Sequence, residues 1–252
     1  ILKLYKLINT INILFILKVK RTTNNKPILF LNGAMSGSGA GPKVKVKRLK
    51  YLFKTSRINP NIFYCLSNCI YSYNYFIKKF VKLKIPIIYN QNGIFHKNWY
   101  KGNVSIENKK MEFYLKNADY VFYQSKFCKY SSDKFLYKRK DNFEILYNAC
   151  DLNYFKPRLN KKINKKKIKI LMTGSYRSYL YPGLLAAIKS VNELKKKINI
   201  ELSIAGKIEI PLKIKILRII KKLNLEKNIF ILGPYNQSLA PKIYRSHDIY
   251  YF

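Results

Sequence analysis

The stretch YVFYQSKFCKYSSDKFLYKRKDNFEILY, residues 120–147, decides the fold class because it contains a strand, a helix and a second strand in succession. Residues 120–123 and 143–147 are short apolar runs of the length that buried strands have. Residues 126–136 between them are predicted to form a helix. A strand, a helix and a strand in this order are typical of a parallel sheet.

The same alternation continues on both sides of this stretch. Apolar runs predict further strands at 28–31, 62–66 and 85–89 before it, and at 168–172, 200–204, 229–232 and 248–252 after it. Helices are predicted between the strands. The polar, lysine-rich segment 159–167 divides the chain. We therefore predict an α/β fold of two Rossmann-like, doubly wound parallel-sheet domains. The first covers residues 27–158, a linker covers 159–167, and an incomplete second domain covers 168–252.

Residues 1–26 are predicted to be a basic and apolar extension in front of the first domain. Their uncharged stretch, residues 7–17, is too short for a membrane span. Two interpretations stay open: a basic helix lying on a membrane surface, or the end of an upstream element. Because the chain starts at Ile1 and Phe252 falls inside a strand-like run, we expect a fragment of a longer protein.

The charge of the chain is strongly positive. Fifty Lys and Arg residues against twelve Asp and Glu residues give a formal charge of +38. Such a charge attracts phosphates, nucleic acids and anionic membrane surfaces. A simpler interpretation is also open, in which most lysines are solvated surface residues in a chain of biased composition. No motif of a nucleic-acid-binding domain is found, so no specific nucleic-acid partner is expected.

The acidic residues and the cysteines argue against a metal site. The sequence has no Asp or Glu before Glu107 and no Asp-x-Asp pair. Carboxylates are the ligands that a metal-dependent nucleotide site needs. The four cysteines form no Cys-x-x-Cys pair and only two histidines are present, so a zinc site is not expected. Free thiols in a reducing cytosol are the simplest interpretation.

A glycine-rich loop follows the first predicted strand. Its residues Gly39 and Gly41 are expected to let a phosphate or sugar approach the backbone closely. The loop matches neither the dinucleotide-binding fingerprint, because Pro42 stands where the third glycine belongs, nor the P-loop.

Several short segments resemble one enzyme family when they are taken in order. They are ADYVFYQS at residues 118–125, EILYNACDLNYFKP at 144–157, Gly206-Lys207, ILG at 231–233 and IYRSHDIY at 243–250. This ordered series resembles the glycosyltransferases called family four, or group 1. The resemblance extends from about residue 28 to residue 252.

The resemblance implies a GT-B fold, in which two Rossmann-like domains face a cleft that holds a nucleoside diphosphate sugar. It implies transfer of a hexosyl-type group, with retention of configuration, to a saccharide or lipid-linked acceptor in cell-surface polysaccharide biosynthesis. No metal or other cofactor is expected, since basic side chains and helix N-termini neutralise the leaving diphosphate. A cytoplasmic protein, peripheral on the inner face of the membrane, is expected, with the anionic lipid surface as a further partner.

The residues carried over from the family depart from its pattern on the first domain. Asn92 takes the place of the family's histidine and precedes Gly93. An asparagine can bind a sugar hydroxyl but cannot relay a proton. His96 either replaces that histidine or is a surface residue. We expect Asn92 to act in catalysis, and Gly93 and His96 to belong to the acceptor-side loops.

The donor-phosphate motif is represented by Gly174 and Arg177, with Pro182 where the family has a lysine. Arg177 is expected to grip the diphosphate through its guanidinium group, and Lys207 and Gly233 are expected to complete the donor site. The family's Glu-x7-Glu motif would lie beyond Phe252, so this fragment is expected to have weak activity or none. Two alternatives stay open: a catalytically inactive GT-B protein that binds sugars or serves as a scaffold, and a basic nucleic-acid-binding protein.

Overall fold

A computed structural model describes residues 26–32, 41–56, 59–67, 81, 83–157 and 167–251. The chain divides into two compact units, Ile1–Ala149 and Cys150–Phe252. Residues 1–25 of the predicted extension, Gly39 of the glycine-rich loop and residues 159–166 of the predicted linker lie outside the described residues.

The first unit is a parallel sheet with helices between its strands. Its order along the chain is β1 (Ile28–Asn32), α1 (Gly41–Leu52), β2 (Lys54–Thr55), β3 (Ile62–Leu66), β4 (Ile87–Gln91), α2 (Val104–Asn117), β5 (Tyr120–Tyr123), α3 (Lys126–Phe135) and β6 (Phe143–Ile145). The strands lie in the order β2-β1-β3-β4-β5-β6, and all the pairs are parallel. The two-residue edge strand β2 was not predicted, because two residues carry no periodic pattern.

The alternation of side chains along the strands gives this sheet a core on each face. Tyr89 of β4 stacks on Tyr114 of α2 with ring centroids 5.4 Å apart, and both rings are fully buried. On the other face, Leu66 of β3 packs with Val46 of α1. Local caps fix the helix starts: the Ser125 hydroxyl accepts a hydrogen bond from the Cys128 N–H at 3.0 Å, which begins α3.

The second unit repeats this design with four strands. It consists of β7 (Ile168–Tyr176), a 3₁₀ turn (Ser178–Leu180), α4 (Tyr181–Leu194), β8 (Ile200–Ile208), α5 (Ile210–Lys222), β9 (Ile229–Gly233), a second 3₁₀ turn (Gln237–Leu239), α6 (Ala240–Arg245) and β10 (Ile249–Tyr250). The parallel strands lie in the order β10-β7-β8-β9 around a core of aliphatic side chains. The predicted fold class, two Rossmann-like parallel-sheet domains, is confirmed.

Some element boundaries differ from the predicted ones. β7 and β8 continue past their apolar runs to Tyr176 and Ile208, because residues 173–176 pair in unbroken register with residues 205–208. β4 begins at Ile87 rather than residue 85, where the Ile87 N–H donates to the Asp119 carboxylate at 2.7 Å. In both cases long-range pairing, which the local sequence does not encode, sets the limit.

Candidate functional site

Ligands of open parallel sheets collect beyond the carboxyl ends of the strands, where free backbone groups and helix N-termini point. In the first unit this edge is rich in buried amide side chains. Asn32 ends β1, and Asn90 and Gln91 end β4; all three are almost fully buried. β1 lies between β2 and β3, so the β1–β2 connection runs to one side of β1 and the β2–β3 connection crosses back to its other side. This is the switch-point geometry at which such folds bind ligands.

Asn92 follows β4 directly and has a fixed backbone. Its N–H donates to the Ser67 hydroxyl at 3.0 Å, and its carbonyl oxygen accepts from the Cys128 thiol at 3.1 Å. The Oδ1 atom of its side chain is buried and has no hydrogen-bond partner among the described residues. Gly93 has φ +148° and its carbonyl accepts from the Gln91 side chain at 2.6 Å. The structure thus leaves one buried amide oxygen, that of Asn92, without a hydrogen bond among the described residues next to the carboxyl end of β4.

Lys45 is a charged residue of this edge that sequence reasoning missed. It lies on α1, and its Nζ donates to the Asn90 Oδ1 at 2.9 Å. Burial lowers the pKa of the Lys45 ammonium. Among the many lysines of the sequence no local signal singles it out, because its partner is far away in the chain. Lys45 adds a partly desolvated cation to the amide groups of the edge.

The other predicted residues of the first unit lie apart from this cluster. His96 is exposed in the loop before α2, and its Nδ1 accepts from the Asn98 N–H at 3.3 Å. Within the described part of the chain no hydrogen bond joins His96 to Asn92. Gly41 is the exposed first residue of α1.

In the second unit, two glycines face each other near the carboxyl ends of β7 and β8. Gly174 lies opposite Gly206 in the register of the two strands. Gly206 has φ +123°, and a Cβ atom placed there would lie 1.8 Å from the Gly174 carbonyl oxygen. Only glycine fits this position. The close approach buries Gly206 and leaves the exposed Gly174 without a side chain two residues before β7 ends, with the Tyr176 ring packed beside it.

Arg177 and Lys207 lie beside this glycine pair, and both are exposed. Arg177 directly follows β7, and its carbonyl oxygen accepts from the Leu180 N–H at 2.8 Å. Lys207 is opposite Ser175 in the strand register. No carboxylate of the described residues bonds to either side chain. The strand register therefore places Gly174 and Lys207 near the carboxyl edge of the sheet, and Arg177 follows β7 directly in the chain.

Glu209 is a second residue of the edge that was missed. Its carboxylate accepts from the Ser178 N–H at 3.1 Å and from the Ser178 hydroxyl at 3.2 Å. Its own N–H donates to the Tyr176 carbonyl oxygen at 3.0 Å. Glu209 thus ties the start of the β8–α5 connection to the turn that carries Arg177. It also places a negative charge at the N-terminal end of the helical segment that starts at Ser178.

Gly233 ends β9 with φ +74° and borders a cleft of about 480 Å³. Its volume is in the range of small-molecule sites. The cleft is lined by Leu232, Gly233, Pro234, Tyr235, Asn236, Leu239 and Ile243. Nearby, the Thr173 hydroxyl is hydrogen-bonded to the hydroxyls of Tyr244 at 2.9 Å and Tyr250 at 3.0 Å. These bonds fix α6 and β10 to the end of β7.

In the part of the chain that the structure describes, no three His, Cys, Asp or Glu side chains lie close enough to hold a metal ion. Within the same residues no helix has both the length and the apolar composition that crossing a bilayer requires.

Two parallel-sheet units of this kind define a GT-B-like fold, and solved structures agree. HepE of Anabaena, solved with UDP, superposes with a TM-score of 0.65 at 12% identity over 89% of this chain and 73% of its own. Sucrose-phosphate synthase of Thermosynechococcus elongatus has a TM-score of 0.55 at 12% identity, over 82% of this chain and 52% of its own. A glycosyltransferase of Rickettsia africae has a TM-score of 0.55 at 16% identity, over 86% and 57%.

These similarities concern the fold, since the identities are low. No protein-family model matches the sequence, and no curated protein matches it. Support for the activity of this chain therefore comes from its own residues.

Proposed function

We propose that this chain is a nucleotide-sugar-dependent glycosyltransferase that moves a hexosyl-type group, with retention of configuration, to a saccharide or lipid-linked acceptor. The observation that carries the proposal is the carboxyl edge of the second sheet, where the Gly174–Gly206 pair lies beside the exposed cations Arg177 and Lys207. The GT-B-like fold supports it, since its similar structures include HepE in complex with UDP-glucose.

In this proposal the donor binds to the second unit. The bare backbone at Gly174 admits the diphosphate, and the Arg177 guanidinium binds two of its oxygens. Lys207 adds a second positive charge as the leaving nucleoside diphosphate forms. The cleft beside Gly233 has the size for the nucleoside, with Tyr235 as an aromatic wall.

The acceptor binds to the first unit. The half-buried Asn92 side chain lies at this edge, and after rotation its unpaired Oδ1 accepts a hydrogen bond from an acceptor hydroxyl and orients it. Lys45, bonded to Asn90, belongs to the same edge. An asparagine cannot remove a proton near neutral pH. Its contribution is therefore one of orientation. As the bond from the sugar to the diphosphate oxygen breaks and the bond to the acceptor oxygen forms, the acceptor proton passes to the leaving diphosphate oxygen, so no base is needed at this position.

We propose further that the transfer requires no metal ion and takes place at the cytoplasmic face of an anionic membrane, in the synthesis of a cell-surface polysaccharide. Cationic side chains stabilise the negative charge of the leaving diphosphate, which is the role of a divalent metal ion in other sites. A second candidate function, a catalytically inactive GT-B protein that binds sugars, is favoured by Asn92 in place of a histidine and by Pro182 in place of a lysine.

The test is a binding titration of the chain against UDP, GDP and ADP at physiological salt, with and without EDTA. We expect saturable binding that prefers one nucleotide, that EDTA leaves unchanged, and that Arg177→Ala weakens about tenfold or more, as loss of a charged hydrogen bond does. Arg218→Ala is the matched control, because Arg218 is an exposed arginine on α5 of the same unit.

Equal weak binding of all three nucleotides, reduced to the same extent by both substitutions, would show that only surface charge is being measured and would refute the donor site. Binding without turnover of the nucleotide sugar would favour the inactive alternative.

A further inference from the structure

The outer side of α3 exposes large aromatic side chains to water. Phe127 and Tyr130 on this side are 74% and 59% exposed, and Phe135, the last residue of the helix, is 58% exposed, whereas the inner side of the helix is buried at Cys128 and Ser132. Soluble proteins seldom leave several large apolar side chains uncovered in one place. We define the α3 surface as Lys126, Phe127, Tyr130, Lys134, Phe135 and Tyr137.

The helical spacing brings these side chains together. Phe127, Tyr130 and Lys134 are separated by three and four residues, so they lie on one face of α3. The Lys134 Nζ lies 5.8 Å from the ring centroid of Tyr130 and 5.4 Å from that of Phe135. The ammonium group and the rings therefore form one mixed aromatic and cationic surface.

The charge of this surface is not compensated. The acidic residue of α3, Asp133, is paired with Lys129 at 2.5 Å. No carboxylate among the described residues bonds to the exposed side chains of Lys126, Lys138 or Lys140. The α3 surface and the turn that follows it are thus complementary to a negatively charged partner.

We propose that the α3 surface binds an anionic lipid bilayer, with the helix lying along the interface. The rings of Phe127 and Tyr130 enter the boundary between headgroups and acyl chains, and the lysine ammonium groups remain at the lipid phosphates. The outer side of a single helix is convex, which suits a flat bilayer. Single-stranded nucleic acid instead needs a groove or a platform for successive bases. The inference deepens the proposed membrane location and does not depend on glycosyl transfer.

Co-sedimentation of the chain with vesicles tests the proposal. Phosphatidylcholine vesicles with and without phosphatidylglycerol are used at physiological salt. We expect the combined Phe127→Ala and Tyr130→Ala variant to partition onto the anionic vesicles at least about tenfold more weakly. The combined Lys134→Gln and Lys138→Gln variant should lose about fivefold per lysine.

The controls lie on α5 of the second unit, which carries another exposed apolar stripe. Ile210 and Leu217 are 75% and 46% exposed, and α5 ends in Lys221 and Lys222. The combined Ile210→Ala and Leu217→Ala variant and the combined Lys221→Gln and Lys222→Gln variant should keep most of the binding. Equal losses from both helices, or a larger loss from α5, would overturn the assignment.

A fluorescence measurement separates insertion from simple attraction of charges. The chain has one tryptophan, Trp99, so Trp99→Phe combined with Phe127→Trp places the reporter in the α3 surface. Its emission should shift to the blue with anionic vesicles, whereas a tryptophan at Leu217 should not shift.

Tight binding of polyuridylate that depends on Phe127, without vesicle binding, would contradict the proposal. Retained nucleotide binding with no vesicle binding would overturn this inference and the membrane location proposed above, but not the donor site.

Discussion

Gly206→Ala tests whether the close approach of β7 and β8 holds the second unit together. The new Cβ would lie 1.8 Å from the Gly174 carbonyl oxygen, and the backbone angle φ of +123° disfavours any side chain. Backbone strain of this kind costs about 1–3 kcal/mol. Displacing a neighbouring strand in a packed core costs about 1–3 kcal/mol more. We therefore expect a loss of about 4 kcal/mol in the free energy of unfolding, a large part of a domain's stability.

Urea denaturation followed by far-ultraviolet circular dichroism measures this loss. Two other glycines of the same unit are matched controls, since a Cβ at Gly233 or at Gly183 meets no atom within 4 Å. Gly233→Ala introduces no close contact and only the strain of a side chain at φ +74°, so it should lower the free energy of unfolding by about 1–2 kcal/mol. Gly183→Ala lies in α4 and should stabilise by about 0.5–1 kcal/mol. If Gly206→Ala were no worse than Gly233→Ala, the close contact of the strands would be refuted.

Two further predictions concern buried titratable groups. Because burial lowers the pKa of Lys45, the unfolded chain binds more protons than the folded chain between the folded-state pKa and 10.5, so stability should rise with pH in that window. Lys45→Met should remove this rise in pH-dependent urea titrations, and Lys47→Met, on the exposed side of α1, should not. The Tyr176 hydroxyl is buried without a partner among the described residues. Tyr176→Phe should therefore be neutral or stabilise by up to about 1 kcal/mol. Tyr244→Phe, which loses the bond to Thr173, should destabilise by about 1 kcal/mol. Urea denaturation measures both variants, and the reverse order of stability would contradict the assignment.

The sequence predicts the alternation of strands and helices because each apolar run is a local signal. The run from residue 120 to 123 is a strand with the predicted limits, and β1 and β3 lie where the pattern places them. The C-terminal parts of β7 and β8, residues 173–176 and 205–208, were not predicted because polar residues such as Thr173 and Ser175 interrupt the apolar runs. They are held in the sheet by partners in the other strand, which only the folded register reveals.

The difference between local patterns and long-range partners also explains which residues of the candidate site the sequence could indicate. Gly174 and Arg177 are visible in a contiguous motif, so a resemblance identifies them. Lys45 and Glu209 act through partners that are remote in the sequence, Asn90 and Ser178. Neither has a local pattern that distinguishes it from the other charged residues of the chain. The sequence predicts the strand ends at which a site forms, whereas the folded chain determines which charges reach them.

Glu209 bears on how the proposed donor site works, because its carboxylate already accepts the N–H and hydroxyl of Ser178. A diphosphate beside Arg177 would meet this like charge, so on the proposed function Glu209 weakens the affinity while it holds the turn in place. Glutamine keeps an oxygen for the Ser178 N–H and removes the charge. Since the interaction of two exposed charges is worth up to about 1 kcal/mol, Glu209→Gln should tighten nucleoside diphosphate binding by up to about fivefold, measured by calorimetry. Glu226→Gln, an exposed change in the same unit, should leave binding unchanged. Weaker binding of the Glu209 variant would mean that the carboxylate acts mainly by positioning the turn that carries Arg177, and would contradict the argument from charge.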